Sequence, residues 1–352
     1  MTTKLKASFS LPAEWHPQDA VLFTWPHQET DWQPILAQVE PIYVQLVKTI
    51  TRFQAVVLVC HNLALQQNIK QQLIEAQINL AAIFWVITPT NDTWARDHGP
   101  ITLVNKHQIN ALNYTFNGWG NKFEAGLDNQ INSAIFEQLN IQRSQDIPLV
   151  LEGGAIESDG QGVLMVTSEC LLNPNRNPSL TKQIIETQLL KQLGLKKMLW
   201  LEHGALAGDD TDAHIDTLAR FAPDNQIIYQ GCNEQNDPHY QPLNAMKKQL
   251  NEFKNSSGQN YQLVELPWPE PQFNAKGEQL PATYANFLII NQAVLIPVYG
   301  VKQDEMVLTI MQSTFKNHQV IPINCRALIE QFGSLHCISM QLPKGFLSHY
   351  LS

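Results

Sequence analysis

Short apolar runs and amphipathic helical stretches alternate along the whole chain, and no stretch interrupts the alternation. Runs such as "AVLFTW", "AVVLVC", "AIFWVITP", "GVLMVTS", "QIIYQG" and "QVIPIN" read as strands. Between them "ILAQVEPIYVQLVKTITRF", "NLALQQNIKQQLIEAQ", "SLTKQIIETQLLKQLG" and "EMVLTIMQSTF" carry helical periodicity. In the third of these, Ser179 is the expected N-cap and Gly194 the expected residue just past the C-terminus. Strands and helices mixed this way exclude all-α and all-β classes and imply an α/β or α+β fold. No Pro/Ser linker, charge block or low-complexity tract divides the 352 residues, so residues 1–352 read as a single domain. About one long helix in each 60–70 residues hints at about five strand–helix units.

Composition narrows the partners. Lys+Arg 23 against Asp+Glu 32 gives a formal net charge of −9. Such a surface repels phosphate backbones, which argues against nucleic acid and favours small cations. The first twenty residues contain no apolar run long enough for a signal peptide, and no window approaches a membrane span, so the cytoplasm is the expected location. A homo-oligomer is compatible with this composition. The cysteine count is 5, odd, without a C-x-x-C pair, which argues against a disulfide framework and a structural zinc site. Cys60, Cys170 and Cys325 read as buried core thiols, and Cys232 as part of a turn.

Four polar clusters remain. "NDTWARDHGP" puts Trp94, Arg96, Asp97 and His98 after a strand. It reads equally as a surface loop with an Arg96–Asp97 pair or as an aromatic and a carboxylate placed for a flat cation. In "LEGGAIESDGQG", Glu152 precedes paired glycines that let the backbone approach something closely, whereas Glu157 and Asp159 read as part of a hairpin turn. In "GDDTDAHIDTLARF", an extended backbone would project His214 and Asp216 from one face. That pair is also compatible with part of a metal site, although no second histidine sits at a suggestive spacing. The upstream Asp209, Asp210 and Asp212 read as a solvated turn, or as acids that meet a substrate's positive tail. In "FGSLHCIS", alternation sets His336 opposite Cys337, so His336 reads as structural and the distant His214 as the available base for the thiol.

Together these clusters resemble the agmatine deiminase family, which includes the bacterial peptidylarginine deiminase-like proteins. The resemblance runs through "LPAEWHPQDAVLFTWPH", "TWARDHGP", "NYTFNGWG", "LEGGAIESDGQGVLMVTSECLLNPNRNP", "GDDTDAHIDTLARF", "ATYANFLIINQAVLIPVYG" and "GSLHCISMQLP". It implies a guanidine-modifying (pentein) fold, an α/β propeller of five ββαβ units. It also implies a hydrolase acting on C–N bonds in linear amidines, which converts agmatine to N-carbamoylputrescine and ammonia on the way to putrescine. Free or peptidyl arginine is the alternative substrate.

The resemblance carries the nucleophile to Cys337, the histidine and its following carboxylate to His214 and Asp216, and the other two acids to Glu152 and Asp97. Trp94 and Trp119 become expected walls of the substrate site. No metal or organic cofactor is implied. The chain departs from the family in three places. "FGSLHC" replaces a glycine-rich run, Ala213 stands where glycine usually precedes the histidine, and "NKFEAGLDNQ" replaces a more acidic stretch.

Overall fold

The computed structural model describes residues 8–106, 108–141 and 143–351. Five sheets share one plan, in which an antiparallel pair is followed by a helix and then by a strand parallel to the second member of the pair. A parallel return needs a crossover, and a helix supplies it each time.

In the second sheet Ile101–Val104 pairs antiparallel with Ile109–Thr115, which Arg143–Val150 joins in parallel. The third repeats this with Ile156–Ser158, Val163–Thr167 and Lys197–Leu201. The fourth uses Ala219–Ala222, Gln226–Gln230 and Gln262–Leu266, and the fifth Leu288–Ile290, Ala293–Val298 and Gln319–Asn324. The first sheet takes its antiparallel member from the far end of the chain. There Ser339–Pro343 pairs with Gln18–Thr24, which is followed in parallel by Ala55–Cys60 and Ile83–Ile87. A further two-stranded hairpin joins Gln272–Phe273 to Gln279–Leu280.

Each sheet buries one face against its helix. Ile185 and Leu189, one turn apart on Lys182–Gln192, pack with Leu164 and Val166 of the neighbouring strand. Each such side chain contributes roughly 1.5–3 kcal/mol of burial. That helix is capped by Thr181, whose side chain accepts from the Ile184 N–H, and not by Ser179. Gly194 follows it at φ +65°, with the Leu195 N–H bonded to the Leu190 carbonyl, as a C′ glycine should be. No helix among the described residues is long and apolar enough to cross a membrane.

The segments that join one sheet to the next matter most for function. Each ends immediately before an antiparallel pair: Ala95–His98 before the second sheet, Gly153–Ala155 before the third and Ile215–Thr217 before the fourth. Asn286 precedes the fifth sheet, and Cys337 precedes the last strand of the first. Five corresponding junctions therefore supply five pieces of one buried cluster.

Candidate active site

Asp97 lies on a single helical turn, Ala95–His98, and is buried. One of its oxygens accepts the Trp119 indole N–H at 2.9 Å, and the other accepts the Gly154 N–H at 3.0 Å. The surface pair with Arg96 does not form. Arg96 is buried too, and its guanidinium turns to the His336 carbonyl and to Glu14. Trp119 reaches Asp97 because "NGWG" runs through left-handed backbone, with φ +64° at Gly118, +55° at Trp119 and +85° at Gly120.

The paired glycines after Glu152 are a steric requirement. A Cβ on Gly154 would fall 2.5 Å from His214 Nδ1, 2.8 Å from Asp97 Oδ1 and 3.2 Å from Asp216 Oδ2. Those three groups therefore crowd one point, and only a hydrogen fits there. His214 Nδ1 lies 3.7 Å from Asp97 Oδ1.

The backbone that brings His214 and Asp216 together is not extended. His214 precedes a 3-10 turn, Ile215–Thr217, and the strand starts only at Ala219. Alternation thus points to the right pair by the wrong local structure. Likewise "SLHC" is a turn ahead of Ser339–Pro343, with the Ile338 N–H bonded to the Ser334 carbonyl and the Ser339 N–H to that of His336.

Cys337 Sγ is buried, 3.3 Å from Asn286 Oδ1 and 3.9 Å from Asp216 Oδ2. Asn286 Oδ1 also accepts the backbone N–H groups of His336 and Cys337, at 2.9 and 3.3 Å. Sequence reasoning left Asn286 aside. Its only local signal is its place just before the strand run "FLII", the place the other site residues occupy ahead of their own strands.

Glu152 is fully buried and both of its oxygens accept from Arg176 Nε, at 2.8 and 3.1 Å. Thr167 ties the far side of His214 together, accepting the Cys170 N–H and donating to the Ala213 carbonyl. Glu152, Cys170 and His214 present atoms within 4.8 Å of one another, a set with metal-binding chemistry. The Arg176 guanidinium already answers the carboxylate of that set.

Electrostatics follow from this packing. Burial pushes Asp97 up to about 6, with His214 pulling the other way. Burial alone would push the His214 imidazolium down, but Asp97, Cys170 and Glu152 outweigh it and hold it well above the ordinary histidine range. Burial, together with Asp216 and Asp97, drives the Cys337 thiol well above its usual value. At neutral pH the empty site thus pairs a thiol with an imidazolium. His214 Nε2 and Asp216 Oδ1 are buried with no hydrogen-bond partner.

Over this cluster opens a pocket lined by Trp94, Trp119, Phe123 and Phe332, with Asp31, Asp92 and Asp210 among its acids. Burial raises Asp92 to about 6, and burial with Asp209 does the same to Asp210. The neighbouring acids are not a solvated turn. Asp209 accepts the Thr211 and Ala213 N–H groups, and Asp212 pairs with Arg176 and Lys122. Glu157 is not turn filler either, since it is buried in a strand and bonded to Arg220 Nε at 2.9 Å. Asp159 does hold the hairpin turn, accepting the Gln161 and Val163 N–H groups.

Two departures from glycine keep a glycine-like backbone. Ala213 has φ +60° and Phe332 has φ +64°. Gly333 itself faces the Trp94 ring and leaves no room there for a side chain.

Residues 10–343 match the model of a family described as Porphyromonas-type peptidyl-arginine deiminase. The agmatine deiminase of Pseudomonas syringae pv. tomato is 32% identical, with 96% of each chain covered. Among solved structures, a cysteine-to-serine variant of the C. jejuni agmatine deiminase with substrate bound superposes with a TM-score of 0.90. It is 37% identical, covering 98% of this chain and 100% of that one. The agmatine deiminase of Enterococcus faecalis is 28% identical with a TM-score of 0.87, and 96% of each chain is covered.

Proposed function

The chain belongs to the Porphyromonas-type peptidyl-arginine deiminase family, and from that premise we propose that it is an agmatine deiminase, hydrolysing the guanidinium of agmatine to N-carbamoylputrescine and ammonia. The observation that carries this reading is the convergence of Asp97, His214 and Asp216 on one point beside Cys337 Sγ, with buried acceptor and donor atoms left open.

A guanidinium is flat and offers a fork of N–H donors that carboxylates grip edge-on. Asp97 and Asp216 hold the two edges, and Cys337 meets the central carbon from above the plane. Both carboxylates raise the thiol while the site is empty. The bound cation cancels their field, so the thiol gives up its proton to solvent as substrate binds. Thiolate then attacks the carbon. The His214 imidazolium gives its proton to the departing nitrogen, which leaves as ammonia, and a thiouronium remains on the sulfur. Neutral His214 takes a proton from water. The hydroxide adds to the same carbon, the C–S bond breaks to return thiolate, and the hydroxyl proton passes to solvent as the ureido product forms. Asp97 chiefly, with Glu152 fixed by Arg176 nearby, keeps His214 cationic.

The pocket favours a cationic tail. Among the described residues that line it there is no lysine or arginine, while Asp31, Asp92 and Asp210 are present. Arg176 and Arg220, the arginines the sequence offers for the carboxylate of free arginine, are already bound to Glu152 and Glu157. Raised acids gain most from a cation brought among them.

The wider reading is of one catalytic domain in which the five sheets form the blades of a ββαβ propeller. The repeated antiparallel-then-parallel plan and the five matching junctions support it.

A substrate panel tests the function. Agmatine, arginine, a methylated arginine and an arginine peptide are assayed for ammonia and ureido product. Agmatine is expected to lead in kcat/KM by at least about 100-fold over arginine, the order expected when a buried charge lacks its partner. A preference for arginine or the peptide would overturn the assignment of substrate.

A further inference from the structure

Beneath the pocket lies a second group of buried charges that the reaction above does not use. Glu14, which precedes the first strand, accepts from Arg220 Nη2 at 2.7 Å and stands 2.7 Å from His336 Nε2 and 3.6 Å from Arg96 Nη2. Its other oxygen takes the Ile289 N–H at 2.7 Å. The second nitrogen of His336, Nδ1, lies 2.7 Å from Asp216 Oδ2. His336 is 1% exposed, Glu14 5% and Asp216 0%.

A neutral imidazole has one donor and one acceptor nitrogen. Between two carboxylate oxygens at 2.7 Å it would set a lone pair against one of them. An imidazolium donates to both. Each carboxylate has reason to stay ionised. Burial would push Glu14 up, but Arg220, His336 and Arg96 hold it well below the usual range. Burial would push Asp216 up, and His336, His214 and Arg220 hold it low. The histidine backbone is pinned as well, its N–H by Asn286 Oδ1 and its carbonyl by Arg96 Nε. The charged and titratable groups around the ring are Glu14, Asp216, Arg96 and Cys337, with Arg220 and Glu157 just behind.

We propose that His336 is a positioning residue: an imidazolium, clamped between Glu14 and Asp216, that holds the Asp216 carboxylate beside Cys337 in the orientation that grips the guanidinium. The last clause rests on the functional reading given above. The oxygen that His336 holds, Asp216 Oδ2, is the one 3.9 Å from Cys337 Sγ and facing the Gly154 point, while Oδ1 is buried without a hydrogen-bond partner. The histidine beside the nucleophile thus acts on the nucleophile's neighbour. It also ties Glu14, 322 residues earlier in the chain, to the grip on the substrate.

Nitrogen NMR of the full chain labelled with 15N-histidine tests the charge, with His336 assigned by comparison with His336→Gln. Both ring nitrogens are expected to carry protons across neutral pH. A ring with one unprotonated nitrogen would overturn the proposal. If His336→Gln does not fold, Glu14→Gln, which keeps the ring, provides the assignment by shifting only the His336 signals. Glu14→Gln is also expected to raise the KM for agmatine by about tenfold, the scale of one charge-assisted bond, with kcat little changed. An unchanged KM beside a lowered unfolding temperature would mean a structural role only, and the positioning role would fail. Wild-type turnover of agmatine is measured in parallel. Its absence counts against the functional reading, while the NMR result decides the charge of the clamp independently.

Discussion

The two charged layers that meet at Asp216 use the same kinds of residue and differ in how fully they are paired. Below, Arg220 bonds Glu14, Glu157 and the Phe287 carbonyl, and His336 bonds two carboxylates. Above, His214 Nε2 and Asp216 Oδ1 have no hydrogen-bond partner among the described residues, and the sulfur of Cys337 lies 3.3 Å from the Asn286 side-chain oxygen. A buried polar atom left open costs about 1–3 kcal/mol, so a fold keeps few of them. Two of those left open here, His214 Nε2 and Asp216 Oδ1, belong to the groups around the nucleophile, where a flat cation can complete the carboxylate. The lower layer is spent on shape, and the upper layer holds its unmet valences for a ligand.

Removing the sulfur separates the layers most sharply. Cys337→Ala is expected to lower turnover by about 10⁴-fold or more. Binding of agmatine by calorimetry and the unfolding temperature should be preserved, since both clamping carboxylates remain. Measurable turnover in that variant would remove Cys337 from the chemistry.

The opposite signature belongs below. Arg220→Gln removes the cation that Glu14 and Glu157 share and leaves Glu157 buried without one, and should cost about 3–5 kcal/mol in denaturant unfolding. A loss of activity with no loss of stability would show that the lower layer takes part in the reaction directly.

The smallest effect is in pH. Asp97, raised to about 6 by burial, is protonated below that pH and then cannot grip a cation. The kcat/KM for agmatine should therefore fall about tenfold per unit on the acid side of 6, while kcat, which reports the occupied site, should fall only at lower pH. A kcat/KM level well into the acid range would take Asp97 out of the clamp.

The residue types above were legible in the sequence and their wiring was not. Cys337, Glu152, Asp97 and His214 stand in short motifs whose neighbours are themselves informative, the glycines after Glu152 most of all. The local backbone was misjudged at His214 and at Cys337, because polar clusters that precede strands form tight turns and apolar alternation does not describe them. Glu157 looked like turn filler because a buried carboxylate in a strand is legible only through its partner, and Arg220 is 63 residues away. Asn286 and Glu14 act across separations of 51 and 322 residues, which no local pattern encodes. The sheets were recovered at most of the apolar runs and missed at Ile109–Thr115 and Arg143–Val150, whose polar residues broke the pattern, and at Ile156–Ser158, Lys197–Leu201 and Ser339–Pro343, which are short.

The first sheet takes its antiparallel strand, Ser339–Pro343, from the far end of the chain, two residues beyond the nucleophile. The turn that carries the sulfur is therefore anchored by a pairing with Gln18–Thr24, between strands remote in sequence, and contacts of that kind form slowly. Whatever loosens that one seam should loosen the nucleophile before it disturbs the other sheets.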